Sequence, residues 1–72
     1  MNTIAARDLQ VGTEIAVSRK GVTGYTTVTE VVAVTAKTIT VRVAYDDVAS
    51  ALGGGQRSRT NRYGLGTILP TA

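Results

Sequence analysis

Residues 38–45, Thr-Ile-Thr-Val-Arg-Val-Ala-Tyr, alternate without a break between large apolar side chains and polar or small ones. Successive side chains on a strand point to opposite faces, so Ile39, Val41, Val43 and Tyr45 share one face. Thr38, Thr40, Arg42 and Ala44 share the other. The segment predicts a strand with one buried face. Its register is strongly specified, because a slip of one residue would turn the whole apolar set toward water. The remainder of the chain has to supply partners for it.

That remainder is short. A 72-residue chain buries only about 60% of the surface its unfolded state exposes, which leaves it marginally stable. There is no Cys and no His, so a disulfide staple and the usual zinc sites are both excluded. Oligomerisation is the common remedy left, and a homo-oligomer is one expectation. Thr and Val abound while Phe and Trp are absent, a bias that suits pleated strands better than helices.

Taken in order, residues 1–8 read as an irregular arm or a turn of helix, and Gly12 marks a turn. Residues 13–17 alternate as a first strand with Ile15 and Val17 on one face. Residues 18–24, with two glycines and the pair Arg19-Lys20, read as an exposed hairpin loop. Residues 25–34 form a second strand whose rhythm slips at Val31-Val32, the signature of a β-bulge that bends it. A polar turn over 35–37 leads into the strand at 38–45. Asp46 and Asp47 end that strand, and an aspartate there can cap a following helix. Residues 48–52 fit one helical turn. Gly53-Gly54-Gly55 breaks the pattern, and 53–56 is expected to be a flexible loop. Residues 57–63 can run extended, with Arg57, Arg59, Asn61 and Tyr63 on one face and Ser58, Thr60 and Arg62 on the other. Residues 67–69 make a short closing strand ended by Pro70. The expectation is one all-β domain over residues 1–72, a small five-stranded barrel with a single helical turn before the last strands.

Function concentrates in residues 53–66, which hold three arginines, one tyrosine and five of the eight glycines. Through Ser50 the chain carries five basic and five acidic residues; from Ala51 on it carries three arginines and no acid. Such asymmetry points to an anionic partner. The guanidinium forks of Arg57, Arg59 and Arg62 match phosphate oxygens, and Tyr63 offers a surface for stacking on a base or for packing. Arg19 and Lys20 are peripheral candidates. Three arginines make few contacts for a nucleic acid: a duplex site built on them would show a salt slope of only about 2.7. The competing reading is a solvated edge strand whose arginines discourage sheet-to-sheet aggregation.

Other chemistries find little purchase. The glycines lack the later Gly-Lys-Ser/Thr of a P-loop. Asp46 and Asp47 are adjacent, which suits turn and cap roles better than an acid–base or metal pair. No Ser or Thr has a nearby activating base, so no enzyme, cofactor or catalytic residue is expected. Tyr25 and Tyr45 read as wall residues with their hydroxyls at the rim. Residues 1–9 contain no apolar run of signal-peptide length and no segment is long and apolar enough for a membrane span, so the expected location is the cytoplasm.

The order Leu9-x-Val11-Gly12-Thr13-x-Ile15-x-Val17, then Val28-Thr29-Glu30-Val31, Thr38-Ile39-Thr40-Val41, and finally Arg57-x-Arg59 with Tyr63-Gly64-x-Gly66 resembles the small SH3-like barrels. In particular it resembles the short barrel proteins of tailed bacteriophages, whose ends commonly carry a basic or aromatic strand and a glycine pair. The likeness spans residues 9–69 and departs at the insertion 46–55. Beside the nucleic acid or phosphorylated small ligand that the arginines point to, the resemblance implies as an alternative a binding module whose partner is a host or virion protein. In the last case the chain would inhibit that protein or assemble with it in the host cytoplasm.

Overall fold

A computed structural model describes residues 2–72. Its strands are β1 (Asn2–Ala5), β2 (Glu14–Arg19), β3 (Val22–Val34), β4 (Thr38–Tyr45), β5 (Ser58–Gly64) and β6 (Ile68–Thr71), with one short helix, α1 (Asp47–Leu52), and a 3-10 turn at Ala6–Asp8. All pairings are antiparallel, in the order β1-β6-β2-β3-β4-β5. There are therefore six strands rather than five, and the sheet does not close into a barrel: β1 and β5 remain as its two edges.

The additional strand is the arm expected to be irregular, of which Met1 lies outside the described residues. Mixed polarity hid β1 because its partner is the far end of the chain: Ile4 lies opposite Leu69 and Thr3 opposite Pro70. The ladder runs on through a hydrogen bond from Ala6 N–H to the Thr67 carbonyl, 2.8 Å. Bonded pairs alternate in an antiparallel ladder, so this bond leaves the nitrogen of Pro70 facing away from β1. Pro70 thus sits inside β6 instead of ending it.

The basic hairpin is tighter than a loop over 18–24. Strands β2 and β3 pair up to Arg19 opposite Val22, leaving Lys20 and Gly21 as a two-residue turn. Both have positive φ, 52° and 80°, the mirror-image turn whose twist suits paired strands. β3 then bends twice, with register shifts between Val28 and Glu30 and between Val31 and Ala33. The second lies where the sequence rhythm slips, and the first passed unnoticed because Thr29 can face either way.

The inner face of β4 is the core, as its alternation predicts: Ile39, Val41 and Val43 are buried, together with Ala6, Leu9, Ile15 and Val28. Ile4, Val31, Tyr45, Tyr63, Leu65 and Leu69 pack around them. α1 covers the same face beside β2 and β3. Asp46 is its N-cap, accepting from Ala49 N–H at 2.7 Å through one carboxylate oxygen and from Tyr25 N–H at 3.0 Å through the other. The helix turn anticipated over 48–52 is present, and the helix backbone lies directly on Gly24.

Candidate functional site

β5 is positioned by the turn that precedes it. Gly53 N–H bonds back to the Ala49 carbonyl at 2.9 Å and Gly55 N–H to that of Ser50 at 2.7 Å, terminating α1. Gly54 and Gly55 take positive φ of 78° and 94°, which a side chain would resist. The three glycines act as a helix stop with specific hydrogen bonds, and they redirect the chain onto the open side of β4.

Among the described residues β4 is the only strand that pairs with β5, from Ala44 opposite Ser58 to Thr38 opposite Gly64. Two flanking bonds set the parity of this ladder: Tyr45 N–H to the Arg57 carbonyl at 2.9 Å, and Leu65 N–H to the Lys37 carbonyl at 3.0 Å. Odd-numbered residues of β5 consequently exchange bonds with β4. The N–H and C=O groups of Ser58, Thr60 and Arg62 point away from the sheet, along an edge that no other strand covers.

Side chains alternate across that edge. Arg59, Asn61 and Tyr63 stand on the core side opposite Val43, Val41 and Ile39, whereas Thr60 and Arg62 stand on the outer face opposite Arg42 and Thr40. The three arginines thus do not form one patch. Arg57, just before the strand, is bound to Asp47 at 2.8 Å, both groups exposed. Arg42 lies 3.9 Å from Glu30 on the outer face. Among the described residues Arg59 and Arg62 have no acidic partner. Arg19 and Lys20 cap the β2–β3 hairpin at the Arg57 end of the sheet. β3 and β4 separate them from β5, so they do not join its edge.

Of the two roles read for Tyr63 in the sequence, stacking or packing, the structure shows packing. Its ring is half-buried and packs against the core, and its hydroxyl accepts from Asn61 Nδ2 at 3.2 Å. Burial pushes the phenol above its ordinary value of 10.0, with a smaller push from Tyr45; the Asn61 hydrogen bond and the Arg59 guanidinium pull the other way. A group whose folded pKa is raised stabilises the fold fully below its unfolded pKa and loses that contribution as pH rises through the folded value. Stability should therefore fall on the alkaline side of pH 10 as Tyr63 ionises. Tyr63→Phe should remove that component in urea unfolding series run across the alkaline range, and phenolate absorbance should show the Tyr63 titration missing.

Sequence reasoning overlooked two features. Asp47 was assigned a turn role, and its ten-residue reach to Arg57 follows no local spacing. The outward backbone groups of Ser58, Thr60 and Arg62 depend on which parity bonds to β4, a matter of register alone. Among the described residues there is no cluster of acidic side chains able to hold a metal, and no helix is long and apolar enough to cross a membrane. No protein-family model, curated protein or solved structure matches this chain.

Proposed function

We propose that the chain is a small non-enzymatic binding module that holds an anionic partner along the β5 edge. The observation that carries this reading is the pair Arg59 and Arg62, free of acidic neighbours on a strand bonded from one side only. Guanidinium groups match phosphate and carboxylate oxygens in the same bidentate way, so nucleic acid and phosphorylated ligands belong to the class. Arg57 already spends its charge on Asp47. With two free arginines, duplex DNA binding would show a salt slope of about 1.8, which makes it weak at physiological salt.

The bent sheet supports an SH3-like architecture within this proposal. β6 is bonded to β2 only at Thr71 opposite Ile15, and the turn that follows β1 bonds to the link between β5 and β6, Arg7 N–H to the Leu65 carbonyl at 3.1 Å, so the β1–β6 ribbon curls back toward the C-terminal end of β5. A second reading, a phage-encoded protein docking on a host or virion protein, draws on the uncovered backbone groups of the same edge.

The test is retention on a heparin column together with fluorescence anisotropy of a labelled single-stranded oligonucleotide. The double variant Arg59→Ala/Arg62→Ala should lose salt-sensitive retention while keeping the parent circular dichroism spectrum. Unchanged retention at low salt would remove β5 as the contact edge.

A further inference from the structure

We infer that β5 accepts an extended acidic peptide as a seventh strand, with carboxylates at positions i and i+3 of the peptide meeting Arg62 and Arg59. The inference rests on the reading of β5 as the contact edge and names the occupant of that edge. Ser58, Thr60 and Arg62 each present one N–H and one C=O outward. Phosphates of a polynucleotide accept from N–H groups but offer nothing to the carbonyls. An antiparallel peptide strand satisfies both.

The charges select the kind of strand. Arg59 and Arg62 are three residues apart and stand on opposite faces. Directly opposite them, an antiparallel partner also has two positions three apart on opposite faces, and carboxylates there complete two cross-strand ion pairs. Thr60 and Asn61 between them are uncharged, so the intervening peptide positions call for neutral side chains. A second copy of this chain fits poorly. Antiparallel self-pairing about Thr60 would set Arg59 diagonal to its own mate and bring both arginine sets together, and like charges across paired strands repel. The arginines that keep two such edges apart are those that an acidic strand neutralises. Of the other uncovered stretches, β3 beyond the end of β2 exposes Val32 and Val34 and has no comparable complementarity, and the β1 edge carries no charged side chain.

The full chain is titrated with a capped peptide of sequence Thr-Val-Glu-Val-Thr-Glu-Val-Thr, whose glutamates align with Arg62 and Arg59 when its central Thr lies opposite Thr60. Binding is expected to protect the amides of Ser58, Thr60 and Arg62 from hydrogen exchange. N-methylation of that central Thr should weaken binding about tenfold or more, since a methyl replaces a ladder hydrogen bond. N-methylation of the Val before it, whose N–H faces away, should change little. Replacing both glutamates by glutamine should also weaken binding, and Arg59→Glu/Arg62→Glu should restore affinity for the peptide carrying lysines in their place. Equal affinity of the two methylated peptides would overturn strand addition while leaving an electrostatic contact at β5 intact. An oligonucleotide that binds where the peptide does not would overturn the choice of occupant. Protection of the three amides before any peptide is added, with a dimer in sedimentation, would assign the edge to a second copy instead. Failure of both peptide and polyanion to bind would remove the inference together with the reading of β5 beneath it.

Discussion

Gly24→Val is expected to destabilise the protein by about 3 kcal/mol or more, the upper range for forcing a side chain into a packed interior. A Cβ at Gly24 would lie 2.3 Å from the Ala49 nitrogen, 2.8 Å from its Cα and 2.9 Å from the Val48 carbonyl carbon. These are all backbone atoms, so no side chain can swing aside. Either α1 lifts from the sheet or β3 bends away from it, and in both cases buried Ala49 and Ser50 lose their cover. A 72-residue domain has a total stability of only about 4–11 kcal/mol, so the loss is a large share of the whole. Urea unfolding followed by circular dichroism measures it. Gly24→Ala should fall in the same direction by a smaller amount, and a midpoint equal to the parent's for both variants would show that α1 does not rest on β3 at this point.

Asp46→Ala should cost about 2–3 kcal/mol, because one carboxylate serves two backbone donors and hydrogen bonds to charged groups are the stronger kind. Its oxygens accept from Ala49 N–H at 2.7 Å and Tyr25 N–H at 3.0 Å, while its own N–H donates to the Tyr25 carbonyl at 3.0 Å. Loss of the side chain thus uncaps the helix and leaves a β3 amide unpaired in the same step. Asp46→Asn keeps the cap acceptor and should recover about half of the loss. A double-mutant cycle with Gly24→Ala should show non-additivity, since both positions hold the one helix against one stretch of strand.

Much of the architecture was legible before any coordinates. The period-two pattern of β4 named the core residues Ile39, Val41 and Val43, because a strand buried on one face has only one way to hide them. The disturbed rhythm at Val31-Val32 located a bulge, and Asp46 stood where a cap was needed. The first strand was not legible. Asn2, Thr3, Ile4 and Ala5 have no strong local preference, and they become a strand only because Leu69 and Ile68 arrive opposite them. Pro70 was misread for the same reason: a proline ends a strand only where its nitrogen is asked for a hydrogen bond.

The candidate site divides along the same line. Alternation in residues 57–63 was enough to place Arg59 and Arg62 on opposite faces, and the charge count was enough to mark the segment as the seat of the positive excess. Removing Arg57 from the free set required the ion pair with Asp47, and drawing Tyr63 into the core required Ile39 across the ladder. By itself, then, the sequence determined which segments other than β1 are strands and where charge accumulates, since both follow from the local alternation and chemistry of side chains. Tertiary structure alone decided that β5 lies at an edge and that Ser58, Thr60 and Arg62 turn their backbone groups outward. Strand order and ladder parity are set by which distant segments meet, and no local pattern encodes that.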